Sequence, residues 1–569
     1  MKKSAPSMSK REMQIVIPMS GFGERFRTEG YDVPKPLIEI DGKPMIAYVI
    51  DMFPGEKNFI FICNEDHLRN PVYRMREILD EYCPGGKAIG IPYHKLGPVH
   101  AVLQIEHLLC PNSPTVINYC DFTCYWDWAH FKEFVQNCSC DGAIPAYKGF
   151  HPHSLGSTNY AYLREDGGWM LDVQEKQPFT DCRMDEYASS GTYYFSSGRV
   201  MTEALRETTR RGLNVNGEYY VSLAYKPLLD ANRAIAVYPL QHFMQWGTPE
   251  DVAEYLEWSG LFRRLVEPGR PPEFAVGTAI VPMAGMGKRF TDEGYAVTKP
   301  LIPVSGLPMV LQAVHDLPLA RQHAFVLRKE MPGHDEIVEV IKQAHPEAVV
   351  ESIPKVTEGQ AHTALIGLDA LERWGGVAEP ITFGACDNGA LYSYETFRTL
   401  LGNPNVDVIV WGVRGHATAV RHPHMFGWID ATLDGRIELT SVKRPLSSPK
   451  SDPIVLGTFT FKRAADFRKA VARLIARDGR INGEFYIDAC INDAIDMGLR
   501  CHLFEVDHVV SWGTPNDLHT FEYWQSCFHK WGNHPYHLAR DGRIPKAQIG
   551  LLESRYQATI PVLPRLLHD

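Results

Sequence analysis

The stretch GFGERFRTEGYDVPKPLIEIDGKPM at residues 21–45 returns at residues 285–309 as GMGKRFTDEGYAVTKPLIPVSGLPM. Aligned from position 15 against position 279, 17 of 31 residues are identical, where chance would give about two. An offset of 264 carries Gly21 to Gly285, Arg25 to Arg289 and Lys35 to Lys299. The register persists downstream with small slips. LGPVHAVL, with Gly97 and His100, faces EGQAHTAL, with Gly359 and His362. Asp121 in INYCDF faces Asp387 in FGACDN, and NGEYYV from Asn216 faces NGEFYI from Asn482. QWGTPEDV faces SWGTPNDL, pairing Trp246 with Trp512. The chain is built twice.

Each copy alternates short β-branched runs, such as QIVIPM, NFIFIC, TVINYC and DGAIPAY, with stretches apolar at three- and four-residue spacing, such as MIAYVIDMF, YRMREILDEY and HAVLQIEHLL. That alternation predicts an α/β fold of two tandem, doubly wound, mostly parallel (Rossmann-like) sheets. Each would carry a site at the carboxyl ends of its strands. The expected boundaries are an N-terminal tail at 1–13, domain 1 at 14–262, a linker at 263–277, domain 2 at 278–528 and a C-terminal extension at 529–569. The linker rests on the Pro-Gly and Pro-Pro punctuation of SGLFRRLVEPGRPPEF.

A formal charge of −10 over 569 residues argues against nucleic acid or a membrane surface as partner. The polar N-terminus and the lack of any long apolar run point to a cytoplasmic chain. The twelve cysteines show no disulfide or zinc spacing and read as reduced structural thiols. Self-association stays open.

The loop after QIVIPM has two glycines with one residue between, followed by Arg25 and Lys35. Glycines let the backbone approach a ligand and aim several N–H groups at phosphate oxygens, and the cations add charge-assisted contacts. A dinucleotide fingerprint would need a third glycine where Phe26 and Phe290 stand, and a Walker A loop would need Gly-Lys-Ser/Thr; neither copy has it.

G-x-G-x-R-F, then K-P-L, then G-x-P-M resembles the signature of sugar-phosphate nucleotidylyltransferases. The likeness follows both repeats. It implies nucleotidyltransferase domains that join an NTP to a sugar 1-phosphate or similar phosphorylated small molecule and release pyrophosphate. Surface polysaccharide or glycoconjugate synthesis would be the setting. By that resemblance, Gly21, Gly23, Gly285 and Gly287 hold the triphosphate. Arg25, Lys35, Arg289 and Lys299 act on its phosphates as catalytic residues. Gly97, His100, Gly359 and His362 lie near the nucleoside, although both histidines read equally well as helix-start residues.

Transfer at an α-phosphorus brings anions together, so Mg²⁺ is expected, with Asp121 and Asp387 as its ligands at strand ends. A second family aspartate, two residues before Gly-Thr-Pro, is replaced by Gln245 and Ser511. Asp251 and Asp517 after it look like helix-start residues. For the acceptor, Glu175 and Lys176 match the family's Glu-Lys pair, whereas the second copy offers Lys443 and Arg444 without a glutamate. Asn216, Glu218, Asn482 and Glu484 are further acceptor-side candidates, with core-edge packing an equal reading. The shared His-Pro-His runs, His151–His153 and His422–His424, suit acceptor binding or loop structure better than a metal.

Three alternatives remain at this level. One copy could be a regulatory or structural pseudoenzyme. The chain could be a CTP-dependent cytidylyltransferase for a non-sugar alcohol phosphate. Or it could be a nucleotide-sugar-dependent glycosyltransferase, against which stands the lack of an Asp-x-Asp motif in INYCDFT and FGACDNG.

Overall fold

The computed structural model describes residues 12–156, 159–267 and 275–565. Residues 1–11 of the expected N-terminal tail and 268–274 of the expected linker lie outside the described residues. By contact, 12–256 together with 557–565 form one unit and 257–556 the other.

Unit 1 is organised on a ten-stranded sheet. Strands Thr115–Asn118, Gln14–Met19, Phe59–Asn64 and Lys87–Ile91 run side by side in parallel. Their near-continuous apolar character follows, because a parallel sheet is covered on both faces. The antiparallel strand Thr192–Phe195 joins this half to the parallel pair Gly142–Tyr147 and Ile235–Leu240. Antiparallel strands at Ala161–Asp166, Trp169–Glu175 and Tyr187–Ser189 complete the sheet. Two buried layers sandwich it: one includes Ile15, Ile17, Phe59, Phe61, Trp128 and Phe131, the other Val16, Ile60, Ile62, Val99, Val102 and Met201. Adjacent residues of one strand, Ile15 and Val16, thus fall into opposite layers, as the two-residue period requires.

Unit 2 repeats the order. Val349–Ile353, Gln322–Arg328, Thr278–Pro282, Ile381–Phe383, Ile454–Phe461, Val408–Val413 and Cys501–Glu505 follow one another across its sheet. Every one of these strands has its counterpart in the same place in unit 1. A hairpin, Gly427–Ala431 with Ile437–Val442, attaches to the Ile454–Phe461 strand.

A short two-stranded ribbon recurs in each unit and matters most for the site. Phe122–Tyr125 pairs antiparallel with His242–Gln245, and Asn388–Leu391 with His508–Ser511. The ribbon brings the aspartate after the fourth parallel strand of the chain, Thr115–Asn118 or Ile381–Phe383, against the Trp-Gly-Thr-Pro segment. The Trp246 amide donates to the Asp121 carbonyl at 2.8 Å, and the Trp512 amide to Asp387 at 2.8 Å. Both tryptophans are fully buried.

Within unit 2 the segment from 529 to 556 packs as part of the core. Tyr536, Leu538 and Ile544 are buried, and Arg543 Nη1 lies 3.1 Å from Asp316 Oδ2 with both side chains almost fully enclosed. Within unit 1, residues 557–565 lie along the Gly167–Gly168 turn. The Arg565 amide donates to the Gly167 carbonyl at 2.8 Å, and Trp169 Nε1 donates to the Arg565 carbonyl at 2.7 Å. No helix among the described residues is long and apolar enough to cross a membrane.

Candidate active sites

Strand Gln14–Met19 ends at the glycine loop, and the five-residue helix Glu24–Thr28 starts on Gly23 in the left-handed region, φ +66°. Gly287 does the same for helix Lys288–Asp292 at φ +62°. Glycine suits these positions because a side chain would be strained there. A Cβ at Gly23 would also lie 3.3 Å from that of Lys35, so the loop and the Lys-Pro-Leu segment are in contact. Gly21 and Gly285, by contrast, face open space.

Lys35 Nζ donates to Asp121 Oδ2 at 2.6 Å and to the Gly247 carbonyl at 2.9 Å. Lys299 Nζ repeats this with Asp387 Oδ2 at 2.5 Å and the Gly513 carbonyl at 3.1 Å. Each ammonium also sits over a phenylalanine of its own loop, Phe26 at 5.5 Å and Phe290 at 5.6 Å. Four separate segments thus converge on one cation in each unit. Asp387 beside it holds the Lys299 ammonium above its ordinary range, against the opposing cost of burial and the repulsion of Arg289. Arg25 and Arg289 are exposed on their short helices.

Asp251 and Asp517 take the helix-start role. Thr514 and Asp517 form a reciprocal capping box, and the Thr248 amide donates to Asp251 Oδ2 at 2.9 Å while the Asp251 amide donates to Thr248 Oγ1 at 3.2 Å. Their carboxylates nonetheless flank the same glycine as the strand-end aspartates. A Cβ at Gly247 would lie 3.5 Å from Asp251 Oδ2 and 3.8 Å from Asp121 Oδ2; at Gly513 the distances to Asp517 and Asp387 are 3.7 and 3.4 Å. Gln245 donates to Asp251 at 2.5 Å. A hard-oxygen set of one or two carboxylates, completed by phosphate and water, fits Mg²⁺.

Gly97 precedes helix Pro98–Gln104 at φ +85° and is pressed against the NGEYY segment. The Tyr219 amide donates to the Leu96 carbonyl at 2.9 Å, and the Val99 amide to the Tyr219 carbonyl at 3.2 Å. Gly359 meets Phe485 in the same way, through Glu358 and Ala361. His100 is half-buried with its ring 4.7 Å from that of His94. His362 approaches Glu358 at 3.8 Å.

The NGEYY segment also explains itself. Asn216 and Gly217 have φ +53° and +83°, Asn482 and Gly483 +52° and +83°. Each pair forms a tight turn closed by the bridges Val215–Glu218 and Ile481–Glu484. Both asparagines are exposed at the turn tip, where Asn-Gly is the favoured pair for two successive positive φ angles. The turn aims the following residues inward. Tyr220 donates a short hydrogen bond to Glu218 and accepts one from Lys176 Nζ at 2.5 Å. Ser222 Oγ donates to Glu175 Oε2 at 2.5 Å. Glu175 is hydrogen-bonded to Ser222, and Lys176 and Glu218 are joined through Tyr220; the sequence singles out neither Tyr220 nor Ser222. Burial pushes the Glu175 carboxyl up to about 7.

In unit 2 Lys443 occupies the place of Lys176, with φ +59° against +61°, and its Nζ donates to the Met425 carbonyl at 3.0 Å. Arg444 is exposed. Burial, with Glu484 beside it, raises the Tyr486 phenol, as burial and Glu218 raise Tyr220. The His-Pro-His runs diverge. His151 is buried and His153 Nε2 pairs with Tyr147 Oη at 2.8 Å, whereas His422 and His424 are exposed. The loops differ too: Phe22 packs edge-on against Tyr93 at 4.4 Å, while Met286 is 66% exposed and Arg328 Nε holds the Ala284 carbonyl at 2.9 Å.

No protein-family model matches the chain. A bifunctional protein GlmU from Listeria monocytogenes is 26% identical over 264 residues, 46% of this chain and 53% of the relative. Mannose-1-phosphate guanyltransferase 2 of Candida glabrata is 23% identical over 47% of this chain and 70% of its own length. The chain spans about half the length of the GlmU relatives it matches. Among solved structures, a nucleoside-diphosphate-sugar pyrophosphorylase from Vibrio cholerae is similar at 22% identity and a TM-score of 0.36, over 43% of this chain and 98% of that one. An inositol-1-phosphate CTP transferase from T. maritima follows at 15% and 0.34, over 44% and 94%. The sequence relationship is to the sugar-phosphate nucleotidylyltransferases, the class that the loop motifs resemble.

Proposed function

We propose that the chain is a tandem nucleotidylyltransferase in which each unit joins an NTP to a sugar 1-phosphate or similar phosphorylated acceptor, supplying activated sugars for glycoconjugate synthesis. The observation that carries this reading is the repeated lysine. Lys35 and Lys299 are each suspended between a strand-end aspartate and a glycine carbonyl, beside a glycine loop. A structural cation has no need to gather four segments at a solvent-facing strand end, twice.

In this reading an acceptor phosphate oxygen attacks the α-phosphorus of the NTP. One P–O bond forms, the bond between the α-phosphorus and its bridging oxygen breaks, and the electron pair leaves with pyrophosphate. The acceptor phosphate is already an anion near neutral pH, so no general base is required and catalysis is positioning plus charge neutralisation. The backbone N–H groups around Gly21–Gly23 and Gly285–Gly287 cradle the triphosphate. Lys35 and Lys299 stabilise charge reorganising at the α-phosphate, and Arg25 and Arg289 hold the departing pyrophosphate. Asp121 and Asp387, with Asp251 and Asp517 close by, would hold Mg²⁺, which supplies charge neutralisation on the triphosphate when bound. Gly97 and Gly359 lie on the nucleoside side, and Glu175, Lys176 and Glu218 on the acceptor side.

Pyrophosphate release is measured with each of four NTPs against mannose 1-phosphate, glucose 1-phosphate and inositol 1-phosphate. Lys35→Ala and Lys299→Ala are each expected to lower turnover at their own site about 10²–10³-fold, and the double variant to lower total turnover by about the same factor. Wild-type rates in the double variant would remove the reading.

A further inference from the structure

We propose that unit 2 keeps a complete acceptor pocket, in which Asp488 replaces Glu175 as the carboxylate that accepts hydroxyl hydrogens from a phosphorylated sugar or polyol, with Lys443 beside it for the phosphate. The proposal rests on the nucleotidyl-transfer reading above and goes on to say what the second site recognises.

Glu175 closes strand Trp169–Glu175, and its partner Ser222 lies on the segment after the Asn-Gly turn. The two positions touch in unit 1. Their counterparts in unit 2 are Val442, at the end of strand Ile437–Val442, and Asp488, in the first turn of helix Ile487–Asp496. The pair Glu/Ser has become Val/Asp. One carboxylate has crossed a single side-chain contact, from the strand wall to the helix wall, and the pocket between them still holds one.

The surroundings agree position by position. Lys176 and Lys443 share the same left-handed backbone. Tyr220 bonds Glu218, and Tyr486 lies beside Glu484. The Asn-Gly turns are alike. Asp488 faces Lys443, and desolvation in the pocket wall pushes its carboxyl up to about 6, as it pushes Glu175 to about 7. The Asp488 carboxylate lies near the backbone N–H groups of residues 488 and 489 at the start of its helix. A carboxylate offers about four acceptor positions. Gly427 adds a contact that capping does not call for: a Cβ there would come within 2.7 Å of Asp488 Oδ2.

The second pocket should not choose the same acceptor as the first. Asp488 is one methylene shorter than Glu175 and enters from the opposite wall, so it meets a hydroxyl at a different ring position. The ring cluster of Tyr147, His153 and Tyr160 in unit 1 contrasts with the exposed His422 and His424 in unit 2.

The test uses the full chain carrying Lys35→Ala, so that turnover reports unit 2, with the same four NTPs and three acceptor phosphates. Asp488→Asn is expected to raise the acceptor KM about tenfold or more and to leave the NTP KM unchanged. Asp488→Glu should retain part of the function. The exchange Val442→Glu with Asp488→Ser should restore turnover with its acceptor preference shifted toward that of a Lys299→Ala chain, an outcome that a purely structural Asp488 would not produce. Turnover with an unaltered acceptor KM in Asp488→Asn overturns the inference and leaves nucleotidyl transfer standing. No turnover from the Lys35→Ala chain, with the Lys299→Ala chain active, overturns it and confines transfer to unit 1. Silence from both chains removes the parent reading as well.

Discussion

Glu175 is a carboxyl held well above the usual carboxylate range. Burial raises it to about 7, opposed by Ser222 and Lys176 and reinforced by Glu218; Tyr119, Tyr193 and Tyr220 face it as well. Its folded value lies above the unfolded one of about 4.3. Its contribution to stability is therefore fully present below about pH 4.3 and is lost as pH rises through about 7. Function runs the other way, because only the anion accepts two hydroxyl hydrogens. The acceptor KM of unit 1, measured in the Lys299→Ala chain, is expected to fall as pH rises through about 7, and Glu175→Gln to flatten that step. Ionisation of the substrate phosphate affects both proteins equally, so the difference between their profiles isolates the carboxyl. Arg25, Lys35 and Glu175 stand out in the sequence because their spacing to the glycines repeats or matches a motif. Asp488 does not, since the role proposed for it depends on a contact between segments 46 residues apart in the chain.

At the scale of elements, the glycines separate into two kinds that one motif does not distinguish. Gly97 has φ +85°, and a Cβ there would lie 2.7 Å from both the Tyr219 nitrogen and carbonyl oxygen. Gly97→Ala is expected to cost about 1–3 kcal/mol from backbone strain alone, read as a lower urea midpoint for unit 1. Gly21 meets nothing within 4 Å. On the proposed phosphate-cradling role, Gly21→Ala should leave the urea midpoint unchanged while raising the NTP KM. A Gly21→Ala chain with unchanged NTP KM would show that the loop does not cradle phosphate. The elements themselves were largely legible. QIVIPM, NFIFIC, TVINYC and DGAIPAY all lie on strands, and MIAYVIDMF and YRMREILDEY on helices. The stretch HAVLQIEHLL is split into Pro98–Gln104 and a 3₁₀ turn at Glu106–Leu108, which apolar periodicity cannot foresee because Leu108 continues the apolar spacing yet is 49% exposed.

At the scale of the whole molecule, the chain after position 528 had no repeat to explain it, and its first part belongs to the core of unit 2. Arg543 is enclosed with Asp316 and Asp541, and Tyr536 donates to Asp541 at 3.0 Å. Arg543→Met leaves Asp316 buried without its cation, so it is expected to cost about 3–5 kcal/mol. The cost should appear in the unfolding of unit 2 by urea, with the Trp-Gly-Thr-Pro ribbon of unit 1 unaffected in hydrogen exchange.

By itself the sequence determined the duplication, the alternation of strands and helices, and the identity of the loop cations, because these are written in local period and in spacing along the chain. Only the tertiary structure decided which side chains share a pocket. Lys35 reaches an aspartate 86 residues away and a carbonyl 212 residues away, and Tyr220 links Lys176 to Glu218. Such contacts arise where sheet order brings the carboxyl ends of non-consecutive strands together. The correspondence of Glu175 and Ser222 with Val442 and Asp488 gains meaning only in that geometry, because the Glu175–Ser222 contact joins segments far apart in the chain.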